Sequence, residues 1–382
     1  MKYSPILRNS SILKKKSKLD HLHTFNNCPA SMACTIQDQN EDLVMDQIWD
    51  ICQKTGLIQL RKIFPLEVVY QFSHNDGIGK VWENHDIAFL KFILNFNNLD
   101  SIFEIGAGAG RVGKLFLSEN KNGNWVGLEP NHHYEKIIMK NFTHKREWFD
   151  DGYIIDGDYD AIVHSHVIEH MYNPISFLET IHQQMDDNSY HLFSVPNLFY
   201  FIQKKYTNAL NFEHTLFITE DIIDNLLKQI GFSIIKKDYH SELPCIFYAC
   251  QKAKPDNVVW DRSIYKKNKQ VFLDFLEFHR NDVDRLNEKI NDFDGDIFLF
   301  GAHIFSQFLI FNGLETNKII NILDNSKMKQ KNRLYGTSLK VESPTILKNF
   351  INPVVILKAG MYNDEIKDDI LSNINSNVII WE

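Results

Sequence analysis

The segment Ser101-Ile-Phe-Glu-Ile-Gly-Ala-Gly-Ala-Gly-Arg111 places a short apolar run directly before three alternating glycines. The run Ser101–Ile105 has the length and composition of a buried strand, and residues 111–118 have the spacing of a helix. Glycines at such a turn let the backbone come close to a ligand, and a helix N-terminus favours negative charge. The pattern therefore predicts a strand, a glycine turn and a helix that border a nucleotide site.

Strands and helices alternate on both sides of this turn. Predicted strands cover residues 125–128, 160–163 and 191–195, and predicted helices cover residues 82–94, 133–140, 174–185 and 218–230. Two further strands, at 232–236 and 246–250, are close enough in sequence to pair antiparallel. The series predicts a doubly wound, mostly parallel α/β sheet.

A second α/β series follows a charged helical stretch. Its predicted strands lie at 296–300, 319–323, 354–357 and 378–381, with a glycine turn at Gly301. We therefore predict an N-terminal accessory segment (1–78), a first α/β domain (79–252), a helical connector (253–295) and a second, Rossmann-like domain (296–382).

The composition is that of an ordinary globular protein. The 382 residues carry a formal charge of −8 and are 44% hydrophobic, and clustered basic residues are missing beyond the N-terminus, which argues against a nucleic-acid partner. Five cysteines are too few for a disulfide scaffold. The most apolar stretch, 297–314, is too short and too interrupted to span a bilayer, and the basic N-terminus lacks the apolar core of a secretory signal. We expect a cytoplasmic protein.

Three interpretations of the glycine turn are open. Residues 108–113 satisfy the bare G-x-G-x-x-G pattern of dinucleotide binding. The strand ends at Ile105, however, so the first turn glycine is Gly106, and Arg111 then stands where the third fingerprint glycine belongs. A turn that binds no ligand is the second interpretation, and the third follows from a family resemblance.

Glu104-Ile-Gly-Ala-Gly-Ala-Gly110 resembles motif I of the class I S-adenosylmethionine (SAM) methyltransferases. The resemblance implies that SAM is the cofactor and that Glu104, Gly106, Gly108 and Gly110 hold it. In this arrangement the carboxylate lies near the ammonium group of SAM, and the glycines leave room for its methionine part.

Three further residues are candidates for the cofactor site. Glu129 lies 23 residues after Gly106, at the end of the second strand, where a carboxylate can accept hydrogen bonds from both ribose hydroxyls. Enzymes that use NAD carry an acid in the same place, so Glu129 alone does not discriminate. Asp150 is a candidate partner of the adenine amino group, and His166 flanks the cofactor side, where a packing or orienting role is expected.

The chain after the turn resembles the sugar C-methyltransferases of nucleotide-deoxysugar pathways. A Glu-His pair within His164-Ser-His-Val-Ile-Glu-His-Met-Tyr-Asn-Pro174 precedes a helix and a strand that ends in Val195-Pro-Asn197. Asn211-Phe-Glu-His214 lies where that family carries Tyr-x-Glu-His. Residues 56–60 resemble the end of its zinc-binding module, and residues 300–344 resemble its C-terminal nucleotide-fold domain. The resemblance implies a sugar or nucleotide-linked sugar acceptor, with His214 as general base and Glu213 orienting it.

The chain departs from this family at two places. Asn211 replaces the tyrosine of the motif, which weakens C-methylation specifically, whereas transfer to a hydroxyl needs one base and good alignment. The zinc module pairs its cysteines in Cys-x-x-Cys motifs. Here the positions that would pair with Cys28 and Cys52 hold Phe25 and Thr55, so no metal is expected. A nicotinamide-dependent sugar oxidoreductase and a non-catalytic binding protein stay open as alternatives.

Overall fold

The N-terminal part of the protein consists mainly of β-strands. The computed structural model describes residues 3–70, 79–131 and 134–382. The first elements are β1 (Ile6–Leu7), β2 (Leu19–Pro29), β3 (Cys34–Thr35), β4 (Val44–Cys52), β5 (Ile58–Leu60), β6 (Lys62–Ile63) and α1 (Leu66–Val69). No element is predicted from the sequence in this segment, because two register shifts in the β2–β4 pair interrupt the alternation of apolar and polar residues.

The central part forms the predicted α/β domain. Its elements are α2 (Lys80–Ile93), β7 (Ser101–Ile105), α3 (Arg111–Glu119), β8 (Asn124–Leu128), β9 (Phe142–Lys145), β10 (Ala161–Ser165), α4 (Pro174–Gln184), β11 (Tyr190–Pro196), α5 (Leu198–Gln203), β12 (Leu216–Phe217), α6 (Glu220–Ile230), β13 (Phe232–His240) and β14 (Cys245–Lys252). Seven strands form one sheet in the order β13-β14-β11-β10-β7-β8-β9. All pairs are parallel except those of β14, so the predicted mostly parallel sheet with an antiparallel pair at one edge is confirmed.

A second parallel sheet lies in the C-terminal part. The elements are α7 (Arg262–Asp292), β15 (Ile297–Phe300), α8 (Ile304–Phe311), β16 (Ile319–Leu323), β17 (Arg333–Leu334), β18 (Val341–Glu342), β19 (Val354–Leu357), α9 (Asn363–Asp369) and β20 (Ile379–Trp381). The strand order is β18-β16-β15-β19-β20. Helix α7 joins two cores, because Phe272 and Phe275 pack with the N-terminal sheet while Leu286 and Ile290 pack under the C-terminal one.

Two strand pairs connect the N-terminal part to the central and C-terminal parts. β12 belongs in sequence to the central part but completes the N-terminal sheet, whose order is β12-β5-β4-β2. β3 pairs with β17 of the C-terminal part. Both pairs cross the boundaries that we predicted at residues 78 and 295. None of the helices within the described ranges is long and apolar enough to span a membrane.

The predicted helix at residues 133–140 is wrong. Its first residue, His133, lies outside the described residues, and residues 134–140 contain no helix. Ile137 instead packs against Gly110 and Phe142, and its peptide N–H donates to His144 Nδ1 at 3.2 Å. The apolar residues that mimic a helical spacing here belong to a loop that covers the glycine turn.

Candidate active site

The glycine loop connects β7 to α3. Gly106, Gly108 and Gly110 all have positive φ values, between 52° and 73°. The peptide N–H groups of Gly106 and Ala107 donate to Leu128 O at 2.8 and 2.9 Å, which fixes the loop on the neighbouring strand. A Cβ on Gly106 would lie 2.7 Å from a methyl carbon of Val167. Glycine is therefore required at Gly106 for both conformation and space.

Glu129, at the end of β8, contacts this loop directly. Its Oε2 accepts the N–H of Gly108 at 2.9 Å, and its Oε1 accepts the N–H of Asn131 at 2.8 Å. The side chain is 8% exposed, and burial raises the pKa of its carboxyl against the opposing effect of these two hydrogen bonds. Each oxygen keeps lone pairs that can accept a hydroxyl of a bound ribose.

Glu104 is a buried acid on the strand that leads into the loop. Its Oε2 accepts from Trp125 Nε1 at 2.8 Å, and the residue is 3% exposed. Burial raises the pKa of Glu104 to about 8, only partly offset by this hydrogen bond, while the nearby Asp86 and Glu129 raise it further. A carboxylate held in this way is stabilised by a cationic ligand.

The loop opens into a cleft of about 160 Å³. Besides Glu104 and residues 106–109, its lining includes Trp82, Asp86, Arg111, Val112, Tyr134, Ser165 and His166. Arg111 Nε lies 2.6 Å from Asp86 Oδ2, which leaves Glu104 as the carboxylate without a cationic partner among the residues that line the cleft. Glu129 does not line the cleft itself but is hydrogen-bonded to Gly108, which does. Asp150 is exposed and does not line the cleft.

His166 lies between this cleft and a second polar cluster. It adopts a φ of 53°, unusual for a non-glycine residue, and its ring packs 5.2 Å from Trp82 and 5.1 Å from His85. Burial holds its pKa well below the usual range, and His85 adds to this effect. Its Nδ1 lies 3.6 Å from Glu169 Oε1.

The second cluster contains Tyr70, Glu169, His170 and His214, and we call it the acceptor cluster. Tyr70 Oη lies 3.2 Å from His170 Nδ1, and His170 Nε2 lies 3.9 Å from Glu169 Oε1. The rings of His170 and His214 meet edge to face at 5.0 Å. Glu169 is fully buried, and within the described part of the chain neither carboxylate oxygen has a hydrogen-bond partner.

The loop that carries His214 is organised by Asn211. Its Oδ1 accepts the N–H groups of Glu213 and His214, both at 2.8 Å, and its Nδ2 lies 3.3 Å from His214 Nδ1. Glu213 is buried and lines a separate small cavity of about 30 Å³ together with Gln307 and Phe308 of α8. The structure thus brings His214 into the acceptor cluster and places Glu213 at the boundary with the C-terminal part.

Arg8 fastens this loop to the N-terminal segment. Its Nη1 donates to Thr215 O at 3.0 Å, and its Nη2 lies 3.1 Å from Thr215 Oγ1 and 3.3 Å from Tyr172 O. Burial lowers the pKa of Arg8 to about 10, so the guanidinium stays charged at neutral pH. Leu60 of β5 also donates its N–H to Thr215 O at 3.0 Å.

Among the residues that the structure describes, two groups of side chains have the donor atoms and spacing that a metal ion needs. They are His85, His166 and Cys245, and Glu169, His170 and His214, with ligand atoms within 4.8 Å of one another in each group. Cys28 and Cys52 cannot share an ion, because they pair with Met45 and Leu19 at opposite ends of the β2–β4 hairpin, about 20 Å apart.

Three residues of the site were not predicted from the sequence. Glu169 was visible as part of a Glu-His pair but had no assigned chemistry, whereas Tyr70 and Arg8 lie in a segment without a recognisable pattern. Only the pairing of β12 with β5 brings the latter two to the loop of His214.

Comparison with known proteins agrees with this geometry. Residues 84–237 match the family model of a methyltransferase domain, which covers less than half of the chain. No curated protein matches.

Similar solved structures include three methyltransferases. The plantazolicin methyltransferase BpumL, in complex with a monoazolic desmethylPZN analogue and SAH, is 12% identical over 48% of this chain and 88% of its own, with a TM-score of 0.37. The mitomycin 7-O-methyltransferase MmcR is 15% identical over 44% and 54%, with a TM-score of 0.36. A SAM-dependent methyltransferase from Aquifex aeolicus is 15% identical over 43% and 89%, with a TM-score of 0.34.

The cleft fits the cofactor of such a domain. A buried carboxylate that gains from a cationic ligand suits the charged methionine part of SAM, and the open glycine loop leaves space beside it. Residues 84–237 therefore form a class I methyltransferase domain, and the protein is an S-adenosylmethionine-dependent methyltransferase.

Proposed function

We propose that the protein transfers a methyl group from SAM to a hydroxyl oxygen of a small polar acceptor, a sugar or a nucleotide-linked sugar. The observation that supports this is the continuity between the cofactor cleft and the acceptor cluster. His166 lines the cleft, and its Nδ1 lies 3.6 Å from Glu169, which in turn neighbours His170 and His214. Titratable groups thus stand beside the cleft, where they could contact an acceptor.

Bound SAM supplies a methyl group on a positively charged sulfur, and the chain supplies alignment and a base. We propose that Glu104, the glycine loop and Glu129 hold the cofactor, and that His166 orients the methionine end. His214 accepts the proton of the acceptor hydroxyl, because an imidazole titrates near neutral pH. Asp150, which is exposed, remains a proposed partner of the adenine only.

A second candidate function is C-methylation next to a carbonyl. The specific observation that favours it is Tyr70, which brings a phenol to His170 at 3.2 Å. A phenol can stabilise an enolate. Tyr70, in the N-terminal segment, therefore supplies the phenol group that is absent from the motif because Asn211 replaces its tyrosine.

The test is methyl transfer to a panel of sugars and nucleotide-linked sugars with isotopically labelled SAM. We expect one class of acceptor to gain a single methyl group, and the position of the label by NMR separates oxygen from carbon. Calorimetry with S-adenosylhomocysteine (SAH) and with NAD(H) should show binding of SAH only. Methylation of peptides or proteins alone, or tight binding of NAD(H), would contradict the proposal.

A further inference from the structure

We propose that the protein binds a zinc ion between His85, His166 and Cys245. These residues come from three elements that are far apart in sequence, namely α2, the loop after β10 and the first position of β14. The ion would fix these elements to one another beside the cofactor cleft and take no part in methyl transfer. The proposal therefore goes beyond the proposed function and does not depend on it.

The first support is the convergence of three suitable donor atoms. One nitrogen of each histidine and the sulfur of Cys245 lie within 4.8 Å of one another. His85 and Cys245 are 0% and 1% exposed, and the ring of His85 meets that of His166 edge to face at 5.1 Å. Imidazole nitrogen and thiolate sulfur are the usual zinc ligands, with bonds of about 2.0–2.3 Å. Side-chain movements of about 1 Å would bring all three atoms to such distances.

The second support is that a carboxylate lies behind each histidine. His85 Nδ1 lies 3.2 Å from Asp86 Oδ1, and His166 Nδ1 lies 3.6 Å from Glu169 Oε1. A metal-binding histidine commonly donates its other ring N–H to a carboxylate, which fixes the tautomer and orients the ring. In this arrangement Nε2 of each ring carries the lone pair that a metal ion needs.

The third support is an unsatisfied nitrogen. His166 Nε2 is buried and, within the described part of the chain, has no hydrogen-bond partner. A buried polar atom without a partner costs free energy, and a metal ion at this nitrogen would remove that cost. The hydroxyl of Ser194 lies 3.0 Å from His85 Nε2 and also contacts the thiol of Cys245. The donor atoms of these two buried side chains therefore point toward the same place.

A fourth ligand is close, as zinc in proteins usually requires. His240 is opposite Cys245 in the β13–β14 pair, so both side chains leave the sheet on the same face. The ring of His240 lies 5.9 Å from that of His85, and its buried Nε2 has no hydrogen-bond partner among the described residues. A rotation of the His240 side chain would complete the tetrahedron.

The donor set selects the ion and separates this site from the acceptor cluster. Two imidazoles and a thiol suit zinc, whereas Mg²⁺ prefers oxygen ligands. The other group with the spacing of metal ligands consists of Glu169, His170 and His214 and contains no sulfur. A spectroscopic signal from a metal-bound thiolate therefore distinguishes the two groups.

The experiment is a titration of the metal-free full chain with Zn²⁺, followed by calorimetry, and with Co²⁺, followed by absorption. We expect about one zinc per chain, and a cobalt complex with the near-ultraviolet absorption that a thiolate ligand produces. Cys245→Ser should remove this absorption and weaken zinc binding by more than about 100-fold. Even the loss of a carboxylate behind a metal ligand costs about 10- to 100-fold in affinity.

Cys250→Ser is the matched control. Cys250 lies on the same strand as Cys245 but packs in the core cluster on the other side of the sheet. This variant should bind zinc as the native protein does, and so should His170→Gln, which changes the acceptor cluster. If circular dichroism shows that Cys245→Ser does not fold, His166→Gln is the second variant and should lose zinc to a similar extent.

Three results would overturn the proposal. The first is a native chain that binds no zinc, and the second is a cobalt–thiolate absorption that persists in Cys245→Ser. The third is zinc binding that depends on His170 and not on Cys245, because the ion would then belong to the acceptor cluster. None of these measurements involves SAM or an acceptor, so their failure and the failure of the proposed methyl transfer are distinguishable.

Discussion

Glu129 Oε2 accepts the peptide N–H of Gly108 at 2.9 Å. This bond ties the end of β8 to the middle of the glycine loop. The carboxylate thereby fixes the backbone that borders the cleft and keeps lone pairs that can accept further hydrogen bonds. One side chain can thus preorganise the loop and also bind the ribose of the cofactor.

We predict that Glu129→Ala weakens SAH binding by about 10- to 100-fold, since hydrogen bonds to a charged group are worth about 1.5–3 kcal/mol each. Glu129→Gln should lose less, because its amide oxygen still accepts one N–H. Isothermal calorimetry measures both affinities. Glu119→Gln, an exposed acid at the end of α3, is the matched control and should bind as the native protein does. An unaltered affinity in Glu129→Ala would show that the residue does not contact the cofactor.

The buried Glu104 predicts a pH-dependent affinity. Its pKa is raised to about 8, so below that pH the free protein holds this carboxyl mostly protonated. A cationic ligand favours the ionised form and releases the proton on binding. SAH affinity should therefore rise with pH from 6 toward 8, by up to about 10-fold per unit, and level off above.

Glu104→Gln should remove this slope and bind SAH as weakly at pH 8 as at pH 6. Its amide oxygen can still accept from Trp125, so the fold is expected to persist. Calorimetry at three pH values, in two buffers of different ionisation enthalpy, measures affinity and released protons together. A slope of the same size in both proteins would assign the proton to another group.

The local sequence was sufficient for the core of the domain. The strand β7 and the helix α3 lie where residues 101–118 predicted them, because an apolar run, a glycine turn and a helix start are all local signals. The loop 134–140 could not be predicted in this way. Tyr134, Ile137 and Ile138 follow a helical spacing, but contact of Ile137 with Gly110 and Phe142 determines the backbone.

The cofactor cleft and the acceptor cluster differ in the same way, because local sequence predicts the first and not the second. Glu104 and Glu129 are at the ends of adjacent parallel strands, so sequence position alone predicts that both lie near the glycine loop. The surroundings of His214 depend on a pairing between distant segments, Leu216 with Gln59 and Phe217 with Ile58. No spacing rule predicts such a contact, and Tyr70 and Arg8 were missed for this reason.

We predict that His214→Ala lowers kcat by about 10²- to 10⁴-fold, the usual contribution of a general base. SAH affinity should stay within about 2-fold, a difference well below one lost hydrogen bond, because His214 lies in the acceptor cluster and not in the cofactor cleft. Single-turnover kinetics with the identified acceptor measure the first effect and calorimetry the second. His21→Ala, an exposed histidine on β2, is the control and should keep the native rate. Native turnover in His214→Ala would rule out the base.

The last prediction concerns Arg8, which links the N-terminal segment to Thr215 and Tyr172. Arg8→Ala should lower kcat by about 10-fold and leave SAH affinity unchanged, because two charge-assisted hydrogen bonds to the loop of His214 are lost while the cleft is untouched. Methylguanidinium added to this variant should restore part of the rate by filling the vacated space. Lys14→Ala, which removes a largely exposed ion pair with Glu179, is the control. A parallel loss of SAH affinity and kcat, without rescue, would show that Arg8 supports only the general stability of the fold.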